Sequence, residues 1–180
     1  MNRVLVQQTD FDPGAELAAL GAQGSGGVAS FVGHVRGDCG LKAMTLEHYP
    51  AMTGATLEAL AGEAAARWAL DGVTLIHRVG RLEPGDRIVL VATAARHRAA
   101  ALEACAYLID RLKTDAPFWK KEEFADGREA WVEARDADDA AAARWGEMPE
   151  PSLQHEPAFL SEVEGAVEGA VEGLGKSATG

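Results

Sequence analysis

The residues of this chain best suited to chemistry are two lysines, Lys113 and Lys120, near the ends of the segment Leu112 to Glu122, LKTDAPFWKKE, in an otherwise acidic protein. Crowded ammonium groups depress one another's proton affinity, which is one way a lysine becomes able to move a proton or steady a developing negative charge. Proline fixes its own φ and pushes the preceding residue out of helical space, so a helix arriving through Leu112 stops near Thr114, with Lys113 on its last turn. Phe118 and Trp119 carry enough apolar area to immobilise the backbone that bears Lys120. A plainer reading stands beside this one. A lysine ending a helix complements the dipole, and Lys120-Lys121-Glu122 is then a solvated face.

Two further basic stretches stand out. Gly33-His34-Val35-Arg36-Gly37 sets basic residues at a strand end beside glycines that permit close ligand approach. Ala95-Arg96-His97-Arg98 places three basic residues at the start of a long helix. Helix N-termini favour anions, so cations there oppose the dipole unless an anion is bound, and a phosphate or carboxylate ligand is the reading. The alternative is that His97 caps the helix and the arginines are solvated. Glu47-His48-Tyr49 and His77-Arg78 sit on expected strands, where neighbouring side chains point to opposite faces, and read as packing. Cys39, near Arg36, reads as an incidental loop cysteine or as a reactive thiol.

The elements that must position these groups mix strands and helices. Strands are expected at Arg3 to Gln7, Val28 to Arg36 and Met44 to Tyr49, the last stopped at Pro50. Asp12-Pro13 opens a short helix that ends near Gly21. A second helix runs from Thr53 to Leu70 on a face of Leu57, Leu60, Ala64 and Trp68. Val73 to Val79 and Arg87 to Ala95 flank the turn Glu83-Pro84-Gly85-Asp86. Arg98 to Lys113 is the clearest helix, with Leu102, Cys105, Ile109 and Leu112 on its buried stripe. Trp119 to Phe124 and Ala130 to Ala134 form a hairpin across Asp126-Gly127, and Asp136 to Trp145 a last helix. The fold class is α+β, with mixed and antiparallel sheets, packed helices and a small hairpin subdomain.

Composition narrows the function. The 180 residues suit one domain, 1–146, followed by an acidic Gly/Glu-rich tail, 147–180, read as disordered because glycine at every fourth place in Val163 to Gly173 opposes a helix. A formal net charge of -11 argues against nucleic acid as a partner. No segment has the length and apolarity of a membrane span, and the start MNRVLVQQTDFD lacks the apolar run of a signal peptide, so a cytoplasmic protein is expected. Cys39 and Cys105 form no C-x-x-C pair, so no metal site or disulfide framework is read.

The runs T-L-E-H-Y-P-x-M (Thr45 to Met52), I-H-R-V-G-x-L-x-P-G-D (Ile76 to Asp86), His97-Arg98 and L-K-T-x-A-P-F-W-K (Leu112 to Lys120) resemble the large, catalytic subunit of molybdopterin synthase over roughly Val4 to Trp145. The short Gly-Asp-Cys-Gly-Leu loop after Arg36 and the acidic tail depart from that pattern. The resemblance implies an α/β hammerhead-like fold and sulfur transfer in molybdenum cofactor synthesis. Cyclic pyranopterin monophosphate receives two sulfurs from the C-terminal thiocarboxylate of a small ubiquitin-like carrier subunit and becomes molybdopterin, with no permanently bound cofactor. It implies Lys113 and Lys120 as catalytic lysines. Substrate contacts implied are His34, Val35 and Arg36, then His97 and Arg98, then Lys113, Lys120, Lys121 and Glu122, with Arg135 as an addition.

Helix length adds a constraint. An unbroken helix from Arg98 to Lys113 separates its ends by roughly 22 Å, so His97 and Lys113 of one chain do not grip one small substrate. A homodimer with a shared site is the expectation. The competing function classes are a phosphorylated-metabolite-binding scaffold without chemistry and a sulfurtransferase that carries a persulfide on Cys39.

Overall fold

The computed structural model describes residues 1–22, 24–132 and 136–146. The expected tail, 147–180, and Arg135 lie outside the described residues. Twelve strands and helices follow in order: β1 (Asn2–Gln7), α1 (Pro13–Gly21), β2 (Gly27–His34), β3 (Leu41–His48), α2 (Pro50–Arg67), β4 (Gly72–Arg78), β5 (Gly80–Leu82), β6 (Arg87–Ala95), α3 (Arg98–Asp115), β7 (Phe118–Phe124), β8 (Glu129–Val132) and α4 (Asp136–Ala143). The α+β expectation holds. The strands make two sheets of four, ordered β1-β4-β6-β2 and β5-β3-β7-β8.

In the first sheet β1 runs parallel to β4, and the other pairs are antiparallel. Its centre is covered on both faces, which is why β4 is buried along almost its whole length. Val73, Leu75 and Val91 pack against α2 and α3. Ile76, Leu90, Ala92 and Ala94 face the other way, with Phe11 and Leu20 at either end of α1. Asp12 caps α1, its carboxylate accepting from the Gly14 N–H at 2.8 Å, as the Asp-Pro signal implies. Where β2 begins, Gly26 lies so close to the start of α3 that a Cβ would sit 2.1 Å from the Arg96 carbonyl oxygen. Only glycine fits there.

The second sheet is antiparallel throughout, and its register decides the site. Leu46 stands opposite Lys120 and Met44 opposite Glu122. With a period of two, Phe118, Lys120, Glu122 and Phe124 share one face of β7, while Trp119, Lys121 and Glu123 take the other. Val35, Met44, Leu46 and Leu82 form a small core on the inner face.

Three expectations need correction. The second helix, expected from Thr53, begins at Pro50, where the missing N–H of a first helical residue costs nothing, while β3 ends before that proline as expected. Between the two strands around the Glu83–Asp86 turn lies β5, which leaves the first sheet and pairs with β3 in the second. Gly80, at φ +83°, makes that departure possible. Leu102, placed on the buried stripe of α3, is 61% exposed, and the buried positions are Ala101, Ala104, Cys105, Tyr107, Leu108 and Leu112. The stripe was drawn about one position off because small alanines, with little apolar weight in a pattern, are what lets α3 approach the sheet.

Leu75→Ala should cost about 2–5 kcal/mol in urea unfolding, because the cavity opens between a central strand and two helices. Leu102→Ala should stay within about 0.5 kcal/mol.

Candidate functional site

α3 ends where the sequence requires. Ala116 adopts an extended conformation (φ -77°, ψ 123°), as a residue before proline must, and β7 starts two residues later. The chain therefore passes from the last turn of α3 into the middle of the second sheet within a few residues. Lys113 and Lys120 come to line one cavity of about 420 Å³.

That cavity lies at the seam of the two sheets. Phe31, His77, Val89 and Val91 come from the first sheet, Met44, Leu46, Phe118 and Lys120 from the second, and Ile109, Leu112 and Lys113 from the end of α3. Arg36 lines it too, and α4 contributes Asp138. A second cavity of about 350 Å³ includes His34, Val35, Cys39 and Glu122 in its lining. The two share Arg36, Met44, Ile88 and Lys120, so they are adjoining lobes of one cleft.

Each lysine faces a carboxylate. Lys113 Nζ lies 3.0 Å from Asp138, and Lys120 Nζ lies 2.7 Å from Glu122. Arg36 is 3.6 Å from Asp38 and largely exposed. Pairs this open to water are worth at most about 1 kcal/mol, so an incoming anion can displace the carboxylates. The cleft thus holds three exchangeable cations above an apolar floor, a setting for a small anion with a flat or apolar body.

Val35 sits differently from its neighbours. Its side chain is buried, its N–H donates to the Asp86 carbonyl at 2.9 Å, and its carbonyl accepts from the Gly85 N–H at 2.9 Å. Val35 is therefore the anchor that holds His34 and Arg36 on either side of it against the cleft. Lys121 faces away from both lobes, 2.6 Å from Glu129, because alternation along β7 turns it to the opposite side from Lys120. Glu129 and other acidic neighbours raise its pKa. A substrate contact at Lys121 in its own chain's cleft does not fit this placement. His97 and Arg98 stand at the far end of α3 and line neither lobe. Cys39 is exposed and lines the second lobe. Cys105 is core, with burial pushing its thiol up to about 11. Among the described residues, no three His, Cys, Asp or Glu side chains gather as a metal would require.

Residues 6–115 match the sequence model of a family described as MoaE protein. The chain belongs to the MoaE family. A Pseudomonas aeruginosa protein named molybdopterin synthase catalytic subunit is 52% identical over 149 residues, spanning 80% of this chain and 99% of its own. Among solved structures, the molybdopterin biosynthesis MoaE protein from Burkholderia ambifaria is 53% identical, with a TM-score of 0.71 over 82% of this chain and 100% of that one. A molybdopterin synthase structure from Staphylococcus aureus is 29% identical, with a TM-score of 0.67 over 74% and 98%.

Asp138 and His77 are polar wall residues of this MoaE-family cleft that lie outside its basic motifs. Asp138 carried no signal beyond an acidic run in a short helix. His77, expected as packing, is buried, its ring stacked 3.9 Å from that of Phe118 at 15°. Burial holds its pKa down at about 4, against an ordinary 6.5. No described helix is long and apolar enough to cross a membrane.

Between those two values the unfolded chain binds a proton on His77 that the folded chain refuses, so folding stability falls as pH drops from about 6.5 towards 4. The increment is ~3 kcal/mol at most. In urea unfolding near neutral pH and near the lower value, His77→Phe should lose less stability on acidification than wild type, by up to that amount.

Proposed function

We propose that this chain is the catalytic subunit of a molybdopterin synthase. It would transfer two sulfurs to cyclic pyranopterin monophosphate from the C-terminal thiocarboxylate of a small ubiquitin-like carrier subunit. The observation that carries the reading is the convergence of Lys113 and Lys120, from a helix end and a strand, on one cleft that also holds Arg36.

The chemistry needs what the cleft offers. A thiocarboxylate sulfur attacks an electrophilic carbon of the pterin side chain, and the carbon–sulfur bond forms. A carbon–oxygen bond of the same carbon breaks with its electron pair, the oxygen leaves with a proton supplied by a lysine, and the carrier stays joined through a thioester. Water then attacks the acyl carbon, the acyl–sulfur bond breaks, and the carrier leaves as a carboxylate with its sulfur on the pterin. A second charged carrier repeats the cycle. Negative charge develops on oxygen in each step, and fixed ammonium groups in a partly dry cleft stabilise it while Lys113 or Lys120 moves protons. No nucleophilic cysteine is required, in keeping with the buried Cys105.

The phosphate falls to Arg36 and to His97 and Arg98, and the last two are to come from a second copy. Three features support that reading. α3 is continuous from Arg98 to Asp115, so its ends lie roughly 20 Å apart or more. β2 is an edge strand, and it starts against the first residues of α3 and ends at His34 beside Arg36. Val28 and Phe31 on β2 and Leu102 on α3 are exposed apolar groups beside that edge. Two copies paired antiparallel along β2 about a two-fold axis would bring the start of each α3 towards the Arg36 end of the other.

The test is conversion of cyclic pyranopterin monophosphate to the dithiolene with a thiocarboxylated carrier. Wild type should form product, and Lys113→Ala and Lys120→Ala should each lose about 10²-fold or more in turnover. Full turnover in both variants would take the chemistry away from these lysines and leave them as anion-binding groups, and no product with wild type would make the chain an anion-binding scaffold. Cys39→Ser should keep its activity, and loss of turnover there would point to a persulfide route instead.

A further inference from the structure

His77 closes the floor of the first lobe, stacked on Phe118, at the end of β4. Its Nδ1 lies 2.8 Å from the backbone carbonyl oxygen of Arg78. A carbonyl oxygen only accepts, so Nδ1 carries the proton and Nε2 is left with a bare lone pair. Among the described residues, the hydrogen bond that the ring makes is the one at Nδ1. Val89, Val91, Leu112 and Phe118 give the same lobe its apolar wall, opposite in character to Lys113 and Lys120. An unpartnered acceptor that is open to the cavity in such a wall favours a hydrogen-bond donor and repels an anionic sulfur or oxygen.

We propose that His77 Nε2 is a substrate-binding acceptor that takes an N–H from the molecule in the lobe and so orients its anionic end towards Lys113 and Lys120. The proposal rests on the sulfur-transfer reading and adds a contact to it. A peptide ending in a thiocarboxylate has both features within a few bonds, the anion at its end and an amide N–H beside it. A pyranopterin has ring N–H groups of the same chemistry.

His77 does not act as a base. Burial, together with the neighbouring His48 across Phe118, keeps its pKa at about 4, so near neutral pH only about one molecule in a thousand carries the charge. A group so reluctant to take a proton is a poor proton carrier and a dependable acceptor.

Two variants separate these roles. His77→Phe keeps a flat ring against Phe118 and removes the lone pair, while His77→Gln can bring a carbonyl oxygen to the place of Nε2. Carrier subunit with an ordinary C-terminal carboxylate is titrated calorimetrically into each protein without pterin, and the KM for cyclic pyranopterin monophosphate is measured separately. His77→Phe should weaken one of the two about tenfold, with kcat changed far less, and His77→Gln should recover most of the loss. A loss in the carrier titration identifies the peptide N–H, and a loss confined to the KM identifies the pterin ring. Equal losses in both variants, or no loss in either measurement, overturn the proposal. If wild type binds neither carrier nor pterin, the sulfur-transfer reading falls with it, whereas normal wild-type binding with unaffected variants removes only the role of His77.

Discussion

The abrupt end of α3 at Ala116-Pro117 is the constraint on which the rest of the site depends. Proline cannot continue the helix, so the chain turns into β7 at once and Lys120 enters the cleft that Lys113 already borders. Were the helix a turn longer, Lys120 would ride out on it and the two ammonium groups would part. Phe118, the first residue past the turn, fixes the angle of entry by stacking on His77 of the first sheet. One proline and one aromatic contact thus fasten the second sheet to the first at the point where the cations meet.

Position in the cleft is set by backbone and core, and charge is left free to exchange. Lys120 faces inward because Leu46 is its partner across the sheet and Leu46 is buried. His34 and Arg36 are held by Val35, whose main chain is tied on both sides to the Glu83–Asp86 turn. The cations themselves are held by single carboxylates, the partly covered Asp138 and Glu122 for the lysines and the exposed Asp38 for Arg36. Such pairs contribute little to stability, which suits groups that must take up and release anionic ligands.

Much of this was legible in the residues. Asp12-Pro13, Asp126-Gly127 and Ala116-Pro117 act through local backbone chemistry, and each falls where that chemistry puts it. The departures share a cause, which is that they were decided by distant partners. Pro50 ends a strand and also begins a helix, and it is the packing of α2 on the sheet that draws the helix start back to it from Thr53. The three residues of β5 are too few for a period, and they are a strand because β3 lies alongside. Lys121 followed Lys120 in the motif, but register turned it outward. Asp138 and His77 reach the cleft from elements far from the lysines in sequence, and no local pattern announces them.

In the proposed shared site α3 works as a spacer, with Lys113 serving the cleft of its own chain and His97 and Arg98 serving that of a second copy. The most direct measurement mixes Lys113→Ala chains with His97→Ala chains, each inactive as a homodimer, after dissociation and reassociation. A shared site leaves one intact cleft in each mixed dimer, so about a quarter of wild-type activity should return in a random mixture. Mixed dimers that form and recover no activity would contradict the account, because all the groups of a cleft would then belong to one chain.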